Sequence, residues 1–227
     1  MGNNINTLYF IIDFDTTLVK GESLELLADI VLKQDRNRKK IFAQIKAITQ
    51  AGMEGKITFD QSLKARLALF CPHQNHIEKL TDYLKKSVTQ SVLENRKFFS
   101  IYADRTFIIS GGFREFIYPV AKILNIADNH ILANELVHKK DKVIGYDKTN
   151  PLAQKGGKVT ALQSLRLPGK IIAIGDGYTD YELKKSGVAD KFIAFTEHIQ
   201  RDVVIENADL IAHSFHDVMR YINGLEF

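Results

Sequence analysis

Three short apolar runs, far apart in the chain, each stop at residues suited to chemistry rather than to packing. Tyr9-Phe10-Ile11-Ile12 runs into Asp13-Phe14-Asp15-Thr16-Thr17, Thr106-Phe107-Ile108-Ile109 into Ser110-Gly111-Gly112, and Ile171-Ile172-Ala173-Ile174 into Gly175-Asp176-Gly177. Short continuous apolar runs of this kind read as strands of a parallel sheet covered on both faces. In such sheets ligands bind beyond the carboxyl ends of the strands. Three ends carrying polar residues therefore predict one site at one sheet edge.

Between the first two runs the period changes. Leu24, Leu27, Ala28 and Val31 follow helical spacing, as do Phe59, Leu63, Leu67 and Phe70, and Ile77, Leu80 and Leu84 continue it to about Val88. Afterwards strands and helices alternate. The pattern predicts a strand over 106–109, a helix over 113–124, a short hairpin from 131–137 and 142–146, and a helix over 158–165. It then predicts strands over 171–174, 192–195 and 210–212, a short helix over 181–186 and a closing element over 215–222. The expected fold is α/β: a doubly wound, mostly parallel, Rossmann-like sheet with a small helical cap inserted after the first strand. The core would comprise 1–20 and 91–227, and the cap 21–90.

At 227 residues the chain has room for one domain, or a core with a modest insert. Its 45% hydrophobic and 26% charged residues exclude a disordered chain. No apolar run approaches the roughly 20 residues of a membrane span. The N-terminal residues lack a basic segment followed by an apolar one, and Asn6 does not suit a myristoylation signal. A single cysteine, Cys71, excludes an intrachain disulfide and a cysteine-based zinc framework, so a reducing cytoplasm is expected. The net charge of +4 includes a basic stretch over 36–40 that reads as a solvated helix start. Neither nucleic acid nor membrane is expected as a partner, and His198, near Arg201 and Asp202, reads as surface.

Asp13 and Asp15 are i and i+2 on an extended segment and so share a face. Asp176 and Asp180 belong to the same sheet edge. With unperturbed pKa values of about 4, all four are charged at neutral pH. Each pair 4 Å apart would cost on the order of 4 kcal/mol at an effective dielectric of 20. A hard divalent cation relieves that repulsion, and an all-oxygen ligand set points to Mg²⁺. Gly111 and Gly112 allow backbone N–H groups to approach an anion at a helix start.

The cap block adds a second pattern. Arg66 lies seven residues after Phe59 and three after Leu63, so it projects from their shared apolar face. A guanidinium there needs an anion, and a carboxylate is its natural bidentate partner. Glu22 offers the complementary charge for an ammonium. Together they would read a zwitterion.

Asp13-x-Asp15-x-Thr17, then Ser110, then a lysine, then Gly175-Asp176-Gly177-x-x-Asp180 resemble, in order, the four motifs of the haloacid dehalogenase-like phosphatases. Segments 12–19, 53–66 and 109–113 are similar to the phosphoserine phosphatases of that family. The resemblance implies Asp13 as nucleophile and Asp15 as general acid, then base. It implies Mg²⁺ held by Asp13, the Asp15 carbonyl and Asp176, with Asp180 orienting metal waters or the lysine. Ser110 and the Gly111 N–H would grip the phosphoryl oxygens. Spacing to Asp176 favours Lys155 as the phosphoryl clamp, with Lys158 the alternate. Glu22, Met53, Phe59, Arg66 and Thr179 would contact or cover the substrate. The implied activity is Mg²⁺-dependent hydrolysis of O-phospho-L-serine through an aspartyl-phosphate, as a step of serine biosynthesis. The same chemistry on another small phosphate ester, or a receiver-like phospho-Asp signalling module, remain alternatives.

Overall fold

In the computed structural model, which describes residues 7–225, β1 (Leu8–Ile12) is followed by four helices: α1 (Ser23–Val31), α2 (Arg38–Met53), α3 (Phe59–Leu67) and α4 (Gln74–Lys85). Two short helices, α5 (Gln90–Glu94) and α6 (Lys97–Ile101), lead into β2 (Thr106–Phe113), α7 (Arg114–Ala121) and β3 (Ile131–Asn134). A hairpin of β4 (Leu136–Lys139) and β5 (Lys142–Tyr146) precedes α8 (Gly157–Ser164), β6 (Lys170–Gly175) and α9 (Tyr178–Lys185). β7 (Lys191–Phe195), α10 (Asp202–Ile205), β8 (Leu210–Ala212) and α11 (Phe215–Asn223) close the fold.

The main sheet runs β3-β2-β1-β6-β7-β8, and every pairing in it is parallel. The chain builds outward from β1 on one side, then crosses to β6 on the other. The crossover point where ligands bind therefore lies beside β1. Register decides what meets there. Ile12 pairs with Ile108 on β2 and with Ile174 on β6. Asp13, Ser110 and Asp176 thus emerge within about a residue of one level.

Side chains alternate across β1. Phe10 and Ile12 join a cluster with the helices of the 21–90 block, α7 and α11, whereas Ile11 joins Phe107, Ile109, Ala173 and Phe192 on the opposite face. Phe98 packs edge-on against both Phe10 and Phe215, which fixes α6 and α11 to the sheet. One apolar cluster runs without a break from Phe10 through Leu24 and Leu27 to Ile45 and Leu63, so α1–α3 share the core of the sheet. No helix among the described residues is long and apolar enough to cross a membrane.

Some boundaries differ from expectation. The run over 131–137 is not one strand: β3 joins the main sheet, and only β4 pairs with β5. The chain turns at Glu135, where the Leu136 N–H leaves the sheet to donate to Glu115 Oε1 at 2.7 Å. The helix expected over 113–124 finishes as a 3-10 turn, Lys122–Leu124, closed by Asn125 in the left-handed region (φ 57°). α9 begins at Tyr178 rather than at 181, because the Asp180 carboxylate accepts the Gly177 N–H at 3.1 Å and caps that end.

Candidate active site

The end of β1 is pinned before it reaches the site. The Asp13 N–H donates to the Ile174 carbonyl at 2.9 Å, and Asp13 Oδ1 accepts the Phe14 N–H at 2.8 Å. Thr16 then takes a left-handed conformation (φ 56°), and its N–H reaches the Gly21 carbonyl. This tight loop puts Asp15 against the start of α1, where Ser23 Oγ donates to Asp15 Oδ2 at 2.8 Å. Asp15 Oδ1 is buried with no hydrogen-bond partner. Burial, reinforced by the charges of Glu22 and Asp13, raises the Asp15 pKa well above the usual carboxylate range. A carboxyl whose charged form is disfavoured in this way has the character a general acid needs.

The lysine at the site is Lys158, not Lys155. Gly156 enters α8 with φ 69°, and Gly157 lies so close to Pro151 that a Cβ would come within 2.1 Å of its carbonyl oxygen. That turn swings Lys158 inward. Its buried Nζ lies 2.9 Å from Asp13 Oδ1 and 2.7 Å from Asp180 Oδ1. Burial disfavours its charge, but the two carboxylates outweigh burial and raise its pKa above the ordinary lysine value. Lys155 precedes the turn, is exposed, and faces the outer mouth beside Gly156 and Thr179. Sequence spacing alone could not anticipate a reversal made by two glycines.

Asp13, Asp176 and Asp180 each offer one carboxylate oxygen, and the three lie within 4.8 Å of one another, all buried. This hard, all-oxygen set fits a divalent cation. Burial and the Asp13 charge push Asp180 up to about 7 despite Lys158 beside it, and burial likewise raises Asp176. Asp180 rests on Gly175, where an added Cβ would lie 2.2 Å from its carboxyl carbon. Ser110 is buried at the adjacent strand end, its Oγ accepting the Gly112 N–H at 3.1 Å. Thr17 Oγ1 lies at 3.5 Å from Asp176 Oδ1, at the outer limit of a hydrogen bond.

Arg201 is the residue that sequence reasoning missed. It is 6% exposed, not a surface group. Its guanidinium pairs with the Asp176 carboxylate through one nitrogen and reaches Glu22 Oε1 at 3.3 Å through another. His198 is also drawn inward, its Nε2 at 2.8 Å from Thr89 Oγ1. A cation just before the short helix α10 opposes the helix dipole, and that was the one local hint. Its partners lie 25 and 179 residues away.

The helical block forms the roof of a cleft that opens over the strand ends and is lined by residues of both parts. Glu22, at the N-terminal boundary of α1, accepts Thr16 Oγ1 at 3.0 Å, and burial raises its pKa against the pull of Arg201 and Arg66. Arg66 lines the same cleft at 5% exposure. Its Nε donates to the Ser62 carbonyl at 3.4 Å, and no carboxylate lies within 4 Å of it among the described residues. Burial lowers its pKa while Glu22 and Asp15 oppose that shift. The Phe59 ring covers Gly111, and Met53 Sδ covers Gly177. Thr179, in the first turn of α9, completes the wall.

These shifts have a measurable consequence. Asp15, Asp176 and Asp180 hold protons more tightly in the folded protein than an unfolded Asp does at about 3.9. The Asp180 contribution to stability is therefore complete below about pH 4 and is lost as pH rises through about 7, and those of Asp15 and Asp176 are lost in the same direction as pH rises. Without divalent cation, the thermal midpoint should fall between about pH 5 and pH 8. Added Mg²⁺ should raise it more at pH 8 than at pH 5, because cation and protons compete for the same oxygens. A metal-free midpoint that rose across that window would contradict the clustered-carboxylate account.

Comparison with known proteins places this geometry among relatives. The haloacid dehalogenase-like hydrolase profile matches residues 10–185. The chain is 33% identical over 218 residues to the chloroplastic phosphoserine phosphatase of Arabidopsis thaliana, covering 94% of this chain and 70% of that one. It is 32% identical over 200 residues to the human phosphoserine phosphatase, covering 86% of this chain and 84% of that one. A solved phosphoserine phosphohydrolase-like protein from Francisella tularensis superposes with a TM-score of 0.87 at 34% identity, over 95% of this chain and all of that one (100%).

Proposed function

The chain belongs to the haloacid dehalogenase-like hydrolases, and on that footing we propose that it hydrolyses O-phospho-L-serine to L-serine and inorganic phosphate. It is a phosphoric monoester hydrolase, which sets aside the receiver-like alternative. The observation that carries the choice of substrate is Arg66. It is a buried guanidinium in the same cleft as Asp13, with no carboxylate within 4 Å among the described residues, and Glu22 lines that cleft too. A substrate carboxylate satisfies Arg66, and a substrate ammonium satisfies Glu22. The phosphoryl group then reaches down to the strand ends. The phosphoserine phosphatases among the relatives support the same choice.

In this proposal the 21–90 block is the cap, and Met53 and Phe59 close it over the substrate. The Asp13 carboxylate attacks phosphorus, and Asp15 gives its proton to the departing serine oxygen. Asp15, now ionised, takes a proton from the water that opens the aspartyl-phosphate. Lys158, Ser110 and the Gly111 N–H hold the phosphoryl oxygens, with Thr179 at the rim. Bound at Asp13, the Asp15 carbonyl and Asp176, and steadied by Asp180, Mg²⁺ would neutralise phosphoryl charge. We assign the protein to the cytoplasm on its single, exposed, unpaired Cys71.

The test is phosphate release from a panel of L- and D-phosphoserine, phosphothreonine, phosphoethanolamine and sugar phosphates, with Mg²⁺ and with EDTA. The expected result is a metal-dependent preference for L-phosphoserine. Arg66→Ala should raise KM for L-phosphoserine by about 10–100-fold, as loss of charge-assisted hydrogen bonds implies, and change kcat much less. An unchanged KM would move the substrate to another small phosphate ester and leave the chemistry in place.

A further inference from the structure

We propose that Asn134 is a positioning residue that sets the gap between the two elements gripping the phosphoryl group. Asn134 is the last residue of β3, with 0% exposure, and it stands behind the cleft rather than among the residues that line it. Its role follows from a fault in the sheet. β2 takes four steps from Ile109 to Phe113 while β3 takes two from Leu132 to Asn134, so β2 bulges over Ser110–Gly112. A bulge disrupts the ladder locally, and a buried carbonyl that loses its partner is costly.

Asn134 Nδ2 donates to the Gly111 carbonyl at 2.9 Å. The same nitrogen donates to the Leu152 carbonyl at 3.3 Å. Both neighbours are acceptors only, so the amide nitrogen must face them. Leu152 belongs to the turn Pro151–Ala153, against which Gly157 is packed before Lys158 turns into the site. One NH₂ group therefore ties the phosphate loop to the turn that carries the lysine. The opposite amide atom, Oδ1, is buried and unpartnered, so the residue is held at this place by its donors and not by its acceptor. Asp lacks both protons and Ser supplies one, so neither reproduces the bracket.

A neighbouring residue makes the distinction sharper. Asn150 Nδ2 donates to the Ala133 carbonyl at 2.8 Å, tying the same strand end to the start of the Leu152 turn. It does not reach Gly111. Loss of Asn150 should loosen the turn, whereas loss of Asn134 should also release the phosphate loop.

This inference rests on the phosphoryl half of the proposed function and not on the identity of the alcohol. Asn134→Asp should lower kcat by about 10–100-fold, the scale of a misplacement of about 1 Å. It should raise the inhibition constant of inorganic phosphate by about tenfold and leave that of L-serine within twofold. Unchanged kcat and phosphate inhibition in the folded variant would overturn the proposal. So would a parallel loss of L-serine, which would mark general loosening. If the variant does not fold, the unmodified protein decides. Saturating inorganic phosphate should shift the nuclear magnetic resonance of the Asn134 side-chain amide, and L-serine should not; no shift with phosphate overturns the proposal. Should L-serine fail to bind the unmodified enzyme, the phosphoserine assignment falls, and the phosphate measurements alone decide the role of Asn134.

Discussion

Asp13→Asn is expected to give a folded protein whose turnover is lower by about 10⁴-fold or more. The amide keeps the shape of the carboxylate and still offers an oxygen to the Phe14 N–H, which Asp13 Oδ1 accepts at 2.8 Å. It cannot attack phosphorus, and where a covalent nucleophile is removed the residual rate comes from binding and electrostatics alone. Stability should move the other way. Asp13 is one of three carboxylates within 4.8 Å of one another, and its charge is among the causes that raise Asp15, Asp176 and Asp180. Removing it relieves repulsion among the acids, and Lys158 keeps Asp180 at 2.7 Å as its counter-ion, so the metal-free thermal midpoint should stay level or rise, as when a charged active site is neutralised. Initial rates on L-phosphoserine and a thermal melt on the same sample check both halves. A variant that retained a tenth of the activity would take the nucleophile away from Asp13.

Lys158→Met should be as damaging to activity, lowering turnover by about 10³-fold or more, and should also destabilise the fold. Nζ is the cation between Asp13 and Asp180, at 2.9 and 2.7 Å, with all three groups buried. Breaking a buried pair by removing one partner typically costs about 3–5 kcal/mol, because the charge left behind has neither water nor a counter-ion. The cost depends on pH. Asp180 titrates at about 7 with the lysine present, and without it the carboxyl holds its proton more tightly still. Below about pH 6 a proton replaces the lost cation, so the difference in urea midpoint from the parent should be larger at pH 8 than at pH 5.5. Lys155→Ala should leave activity within about twofold and the free energy of unfolding within about 0.5 kcal/mol, the range of ordinary surface changes. Loss of activity in Lys155→Ala with retention in Lys158→Met would reverse the assignment.

The two lysines also mark where the sequence stopped being informative. Spacing along the chain distinguishes strand from helix because each element repeats over its own neighbours. The runs ending at Asp13, Ser110 and Asp176 were legible for that reason, and so was the helical character of 21–90. The choice between Lys155 and Lys158 hangs on the turn at Gly156, whose direction depends on the packing of Gly157 against Pro151. Hydropathy at 131–137 carries no sign that the chain leaves one sheet at Asn134 and begins another at Leu136.

The class of fold, and the edge of the sheet that carries the acidic residues, are legible along the chain without any knowledge of packing. These follow from side-chain period and from what strand ends do in a parallel sheet. That Lys158 is the cation at Asp13, that Arg201 joins Asp176 to Glu22, and that Asp15 and Asp180 hold their protons upward of the usual range all emerge with packing. Each of those depends on burial, which weakens the competition of water for a charge and strengthens every remaining charge nearby. Burial belongs to the packed molecule: segments 25 and 179 residues apart must meet before Arg201 has a partner.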